Sequence, residues 1–176
     1  SPAANRLITH KMCPFAQKAW ICLECAKVPY ELVEISLYGA GGKPEWFTKL
    51  NPRGTVPVFV CNGGSMVFPD SDLILDEVER GQAHVGGIVK LLSEDPVLQK
   101  KVKAWRKAVN DMLPVGKRAV LSGATAPLQK LLVDMERQVV GPYLTGDQLT
   151  TADCHAFPFL WRINEEFGLE QCSNLS

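Results

Sequence analysis

The chain has 176 residues, of which 46% are hydrophobic and 22% are charged, an ordinary balance for a globular protein. Its formal net charge is zero at pH 7, so bulk charge gives no reason to expect nucleic acid or an anionic membrane as a partner. No apolar run reaches the ~20 residues that a membrane-spanning helix needs. The length is enough for one large or two small domains.

The cysteines indicate a reducing compartment. Their spacing is unlike a small secreted disulfide framework, which favours a cytoplasmic protein. Cys22 and Cys25 form a C-x-x-C pattern, but it falls inside a predicted helix and has no second pair or histidine partner. Packing is the favoured role for these two thiols, and no metal site is expected. The six are Cys13, Cys22, Cys25, Cys61, Cys154 and Cys172.

The first 80 residues predict a βαβ unit followed by a ββα unit. A strand, a helix and a second alternating strand normally form a right-handed crossover between parallel strands. Asn62-Gly63-Gly64 then predicts the tight turn of a hairpin. The predicted elements are a strand at 6–10, a helix at 14–27, a strand at 30–37, a short helix beginning near Lys43, a strand at 55–61, a return strand at 65–68 and a helix capped by Asp70 and Ser71.

The pattern changes after residue 80. Residues 81–89 predict a linker, and 90–176 an all-helical domain. Pro114 is expected to kink or end the first long helix. Thr150-Thr151-Ala152-Asp153 has the form of a capping box, with Asp in place of the usual Glu or Gln. The helix that it opens contains Pro158, so this helix is expected either to start late or to be bent.

Cys13 lies where the first strand stops and the first helix starts. A thiol at a helix start lies beside unpaired backbone N–H groups and the positive end of the helix dipole. Both favour the thiolate, which is the nucleophilic form. Pro14 suits the first helical position, where its missing N–H costs nothing. The placement predicts a reactive cysteine.

The element order, a cysteine after the first strand and a proline opening a later strand together resemble a thioredoxin-like domain. In that fold the proline is usually cis, so a cis Val56–Pro57 bond is expected. The alternative is a trans proline at the start of an edge strand.

Four motifs make the resemblance more specific. The chain resembles a glutathione transferase of the cysteine type, the group that contains the omega, lambda and dehydroascorbate-reductase classes. The resemblance covers the first 80 residues well, and continues more loosely through residues 146–153. It implies a thioredoxin-like N-terminal domain and an all-α C-terminal domain. The motifs are Cys13-Pro14-Phe15-Ala16, Lys43-Pro44-Glu45-Trp46-Phe47, Asn51-Pro52-Arg53-Gly54-Thr55-Val56-Pro57-Val58 and Asp70-Ser71.

The resemblance implies glutathione as co-substrate and gives each motif a role. Cys13 would form a mixed disulfide with glutathione, with Phe15 packed beside the thiol. The Val56 backbone, before Pro57, would pair with the cysteinyl backbone of glutathione. Asp70 and Ser71 would hold the γ-glutamyl end and Lys43 would lie near the glycine carboxylate, giving a binding set of Phe15, Lys43, Val56, Pro57, Asp70 and Ser71. Lys43 could equally be a solvated loop charge, and Asp70 and Ser71 could be caps alone.

Ala16 narrows the expected chemistry. Dithiol members of the fold carry a second cysteine at this position, and without it no internal C-x-x-C disulfide can form. A second glutathione or another thiol must then resolve the mixed disulfide. This predicts thioltransfer, deglutathionylation or dehydroascorbate reduction. The expected partners are glutathione and a small disulfide, an oxidised acceptor or glutathionylated proteins, with a homodimer left open.

Two departures and two alternatives accompany this interpretation. Asp70 stands where many members of the family have Glu or Gln, and the chain ends soon after the capping-box helix, as expected for a fragment or a reduced version.

One alternative is a non-enzymatic module, similar to intracellular chloride channel proteins or to assembly domains of translation factors. The other is one module of a larger thiol-dependent reductase.

Overall fold

The computed structural model describes residues 5–39, 42–81 and 85–168. The chain divides into two compact units, a first unit of Ser1–Leu92 and a second unit of Ser93–Ser176. Residues 82–84 of the linker predicted at 81–89 lie outside the described residues, and that linker stays a prediction. Within the described ranges, no helix combines the length and the apolar character needed to cross a membrane.

The first unit has the predicted βαβ-ββα order. Its sheet has the strand order β2-β1-β3-β4, in which β1 is parallel to β2 and antiparallel to β3, and β4 is antiparallel to β3. The parallel pairing of β1 and β2 is the crossover that the sequence predicts. The elements are β1 (Arg6–Thr9), α1 (Pro14–Cys25), β2 (Glu31–Glu34), α2 (Glu45–Leu50), β3 (Val58–Cys61), β4 (Met66–Phe68) and α3 (Ser71–Arg80).

All four strands of the first unit are shorter than predicted, and the second and third differ most. The second strand covers Glu31–Glu34 and not 30–37, because it is an edge strand whose ladder is limited to the four residues of β1. The third strand begins at Val58 and not at 55, after Pro57, which has no N–H to donate. The hairpin turn at Asn62–Gly64 is a short 3₁₀ turn with positive φ at all three residues.

Apolar side chains from the sheet and from the helices form the core of the first unit. Ile8, Val58 and Val60 of the sheet are buried together with Ala16 of α1 and Phe47 of α2. Helices α1 and α3 pack against each other. The core therefore holds α1 against the sheet, and α3 is held through its packing on α1.

The second unit contains α4 (Pro96–Ser122), α5 (Ala126–Glu136) and α6 (Thr151–Phe167). Pro114 does not end α4, and α6 starts at the predicted Thr151 with Pro158 in its interior, so a late start is wrong. The three helices share one buried core, formed by Val102, Trp105, Val109, Met112, Leu128, Leu132, Met135, Ala156, Phe159 and Leu160.

Candidate functional site

Cys13 is the residue from which α1 begins. Its backbone is extended (φ −85°, ψ 116°), its N–H donates to His10 O at 3.0 Å, and its carbonyl accepts from Gln17 N at 2.9 Å. Pro14 occupies the first helical position, as predicted. The side chain is half-buried, and its Sγ lies 3.9 Å from Val56 O. The thiol therefore faces the loop that precedes β3.

A buried asparagine shapes that loop. Asn51 Nδ2 donates to Thr55 O at 2.8 Å, and Asn51 O accepts from Gly54 N at 2.8 Å. The loop turns back at Gly54, where φ is +61°. The Val56–Pro57 bond that follows is cis, which confirms the expectation from the sequence. The Asn51–Pro57 motif is thus a folded unit in which the side chain of Asn51 fixes the path of the backbone.

The start of α3 is capped by Asp70. Its Oδ1 accepts a hydrogen bond from Asp72 N at 2.8 Å, as an N-cap carboxylate does. Ser71 is the first residue of the helix and is buried. Arg53 donates to Pro69 O at 2.9 Å and lies 3.9 Å from Asp70 Oδ2. The helix start therefore presents an acid and a hydroxyl beside a guanidinium.

The side chain of Lys43 lies against the turn at Gly54. A Cβ built onto Gly54 would lie 3.0 Å from Lys43 Nζ and 3.2 Å from Lys43 Cδ, so the lysine stem crosses directly over Gly54. The contact is possible because glycine has no side chain there. An exposed lysine is thereby held against the loop with its ammonium group near the mouth of the site.

One groove of about 410 Å³ joins these parts of the first unit. Its volume is within the range of small-molecule sites. We call it the Cys13 groove, and all seven site residues that the sequence singles out line it: Cys13, Phe15, Lys43, Val56, Pro57, Asp70 and Ser71. The other lining residues are Leu37, Tyr38, Arg53, Gly54, Thr55 and Pro69. Sequence reasoning assigned no role to Arg53 or Tyr38, although Arg53 stands inside a motif that it quoted.

The charges of the Cys13 groove suit a zwitterionic peptide with two carboxylates. Lys43 and Arg53 supply cations, and the carboxylate of Asp70 supplies an anion beside the N-terminus of α3. The helix N-terminus adds backbone N–H groups that favour a carboxylate. The groove therefore combines both signs of charge with the thiol of Cys13.

Three of the other described thiols are less suited to reaction than Cys13. None of the described cysteines is in a disulfide, and Cys22, Cys61 and Cys154 are buried. Burial, together with the negative charge of Glu77, raises the pKa of the Cys61 thiol. A raised pKa lowers the fraction of the nucleophilic thiolate at neutral pH. Cys172 lies outside the described residues.

Comparison with known proteins finds a family match for most of the first unit. Residues 12–80 match the family model described as "Glutathione S-transferase, N-terminal domain". Over these residues the chain is similar to the N-terminal domain of glutathione S-transferases. The match includes every predicted site residue, and the thioredoxin-like first unit and helical second unit have the architecture that the resemblance implies.

The relatives include proteins named as omega and DHAR glutathione S-transferases. A rice (Oryza sativa subsp. japonica) protein named "Probable glutathione S-transferase DHAR1, cytosolic" is 45% identical over 67 residues, which span 38% of this chain and 30% of that protein. "Glutathione S-transferase omega-1" of Sus scrofa is 28% identical over 179 residues, covering 95% of this chain and 70% of that protein. The crystal structure of glutathione transferase Omega 3C from Trametes versicolor has a TM-score of 0.83 and 26% identity, covering 99% of this chain and 80% of that chain.

Proposed function

We propose that the protein is a glutathione-dependent thioltransferase and deglutathionylating reductase that uses Cys13 as its single nucleophile. The observation that carries the proposal is the Cys13 groove, in which a half-exposed thiol at a helix start shares one lining with two cations and a capping carboxylate. Relatives named as omega and DHAR glutathione S-transferases support it, and the name DHAR supports dehydroascorbate reduction as a second activity.

The proposed binding roles are those that the resemblance implies, and the charges of the groove support them. Asp70 takes the ammonium group of the γ-glutamyl end, and the Ser71 hydroxyl with the N–H groups of α3 takes its carboxylate. The Val56 backbone pairs with the cysteinyl backbone as a strand pairs with an added strand, and Pro57 holds that edge. Lys43 reaches the glycine carboxylate, and Phe15 packs beside the sulfur. Arg53 adds a second cation at the γ-glutamyl side.

The reaction is a pair of thiol–disulfide exchanges. The Cys13 thiolate attacks the glutathione sulfur of a glutathionylated substrate, so that a Cys13–glutathione disulfide forms and the substrate leaves as a thiolate. The thiolate of a second glutathione then attacks the glutathione sulfur of this mixed disulfide, which releases oxidised glutathione and restores Cys13. The step needs an external thiol, because Ala16 stands at the position of a resolving cysteine.

The proposed setting follows from the thiol chemistry. A single reactive thiol and the absence of disulfides among the described cysteines suit a reducing compartment, and a relative is named cytosolic. We therefore propose a cytoplasmic protein whose partners are glutathione and a small disulfide, an oxidised acceptor or glutathionylated proteins. A homodimer is compatible with this proposal.

The proposal is tested by intact mass after incubation with oxidised glutathione. We expect one glutathione adduct, mapped by peptide digestion to Cys13, and complete loss of both the adduct and thioltransferase activity in Cys13→Ser. The matched control is Cys25→Ser, which removes another half-buried thiol of α1 and should keep the adduct and the activity. An adduct on another cysteine, or full activity in Cys13→Ser, would contradict the mechanism. A wild-type chain that forms no adduct would favour the non-enzymatic module.

A further inference from the structure

Lys18 is a fully buried lysine in α1, and the proposed chemistry does not use it. Its side chain has 0% exposure, although a charged ammonium group is costly to remove from water. It follows Cys13 by five residues and is buried along with Ala16, Ala19 and Cys22 of the same helix. A buried charge on the helix that carries the thiol calls for a physical reason.

The buried ammonium group pairs with the start of α3. Lys18 Nζ donates to Asp72 Oδ1 at 2.9 Å, and the Asp72 side chain is 40% exposed. Asp72 is the second residue of α3, next to Ser71 and two after the capping Asp70. The ion pair therefore ties the first turns of α1 to the first turn of α3, which are the two helix starts that line the Cys13 groove.

Contacts continue from this ion pair to both sides of the groove. The Asp72 N–H donates to Asp70 Oδ1 at 2.8 Å, so the residue that holds Lys18 also orients the Asp70 carboxylate. On the α1 side, Lys18 Nζ lies 5.8 Å from the centroid of the Phe15 ring, within the range of a cation–π contact. Neither Lys18 nor Asp72 lines the groove itself. Any effect of Lys18 on glutathione would therefore pass through the residues that line the groove.

Apolar packing does not supply this alignment. Helices α1 and α3 pack against each other, and Leu23, Ile74 and Val78 are buried in the interior turns of the two helices. Apolar burial is non-directional, whereas a hydrogen-bonded ion pair fixes a distance and a direction. The ion pair lies near the starts of α1 and α3, which line the Cys13 groove. The relative direction of the two helices matters most at these ends.

We propose that Lys18 is a positioning residue for the γ-glutamyl end of glutathione, acting through Asp72 on the Asp70–Ser71 helix start. This inference rests on the proposed function and extends it. Lys18 sets how far the Asp70 carboxylate lies from the Cys13 thiol, and so couples recognition of the γ-glutamyl group to the reacting sulfur. Lys18 does not affect the reactivity of the Cys13 thiol toward a ligand that lacks the γ-glutamyl group.

The test compares two disulfides as reagents for Cys13. Second-order rates of adduct formation are measured by mass spectrometry with oxidised glutathione and with oxidised cysteinylglycine, which lacks the γ-glutamyl group. We expect Lys18→Met to lower the preference for oxidised glutathione about tenfold, the factor for losing one hydrogen bond to a charged group. The rate with oxidised cysteinylglycine should stay within twofold of wild type, and Lys18→Arg should restore the preference.

The controls separate positioning from folding. Lys49→Met removes an exposed lysine that pairs with Glu45 at 2.8 Å in the same unit, and it should change neither rate. Because Lys18→Met could fail to fold, Lys18→Met/Asp72→Leu replaces the ion pair with apolar side chains, an exchange that is often neutral for stability. This double variant should also lose the preference.

Three outcomes would overturn the inference. A folded Lys18→Met or double variant with the wild-type preference shows that the ion pair does not position the site. Equal slowing with both disulfides shows that Lys18 acts on the thiol and not on the γ-glutamyl end. A wild-type chain that reacts with both disulfides at the same rate lacks a γ-glutamyl site, and in that case the proposed glutathione site fails as well.

Discussion

At the scale of single residues, Gly54 connects backbone conformation with recognition. Its φ of +61° lies in the left-handed region, and a Cβ there would approach Lys43 Nζ to 3.0 Å. We expect Gly54→Ala to lower the free energy of unfolding by about 1–2 kcal/mol, the cost of placing a side chain in that conformation. It should also displace Lys43 and weaken binding of S-methylglutathione. Denaturant unfolding and calorimetric titration measure the two effects.

Gly116 provides the matched control for this prediction. It lies inside α4, and no atom stands within 4 Å of a Cβ built there. Gly116→Ala should raise the free energy of unfolding by about 0.5–1 kcal/mol, because alanine loses less conformational freedom than glycine in a helix. If Gly54→Ala unfolds at the wild-type denaturant concentration, the strain argument is wrong.

Single residues also show which contacts the sequence alone does not predict. The seven predicted site residues line one groove, and each of them lies in a motif that can be recognised in the sequence alone. Lys18 was not predicted, because a lysine in an amphipathic helix is normally solvated and its partner Asp72 lies 54 positions away. Arg53 was missed as a site residue for a similar reason, since its contact with Pro69 depends on how the loop folds.

At the scale of elements, the predicted capping box of α6 is confirmed and does more than cap. Asp153 Oδ2 accepts from Thr150 N at 2.8 Å and from Thr150 Oγ1 at 3.0 Å, while Oδ1 accepts from Leu144 N at 2.8 Å. One carboxylate therefore fixes both the helix start and the preceding loop. The capping-box spacing predicts the first contact, whereas the contact with the Thr150 hydroxyl and the contact with Leu144 N depend on the local geometry.

We expect Asp153→Ala to lower the free energy of unfolding by about 2–3 kcal/mol, because several hydrogen bonds to one charged group are lost together. Urea unfolding followed by circular dichroism measures the change. Asp134→Ala is the control, since Asp134 forms an exposed pair with Arg137 at 3.3 Å and should cost about 0.5 kcal/mol or less. Equal losses of unfolding free energy in the two variants would show that the capping box stabilises the chain no more than an exposed ion pair does.

The prolines of α4 and α6 show why element boundaries are harder to predict than element type. Pro114 is expected to kink or end its helix, and of these two alternatives the end is wrong, because α4 runs from Pro96 to Ser122. Buried residues lie on both sides of Pro114, among them Met112 and Ala119. Tertiary packing of this kind outweighs the lost backbone hydrogen bond. A local pattern contains no information about that packing.

At the scale of the whole molecule, the order of elements was predictable and the strand order only in part. The βαβ pattern predicts the parallel pairing of β1 and β2, and the turn at Asn62 predicts the hairpin of β3 and β4. The antiparallel contact between β1 and β3 joins residues about fifty positions apart, such as Ile8 and Val58. Such contacts are set by burial of both strands in one core and have no local sequence signal.

The division into two units leads to a prediction about where ligand binding stabilises the chain. All residues that line the Cys13 groove belong to the first unit. At a ligand concentration of a hundred times its Kd, binding adds about 2.7 kcal/mol to the stability of the state that binds. We therefore expect S-methylglutathione to slow hydrogen exchange of the β3 amides by up to about a hundredfold. Amides of α5 should slow by less than twofold, because their opening need not release the ligand.

Hydrogen exchange with mass spectrometry measures both sets of amides in one sample. S-methyl-cysteinylglycine at the same concentration is the control, and it should protect β3 far less, because it lacks the γ-glutamyl group that Asp70 and Ser71 would hold. Equal slowing in β3 and α5 would contradict the prediction, since it would mean that the two units open together as one cooperative structure. Protection confined to β3 and the loop before it would place the binding free energy in the first unit, around the thiol of Cys13.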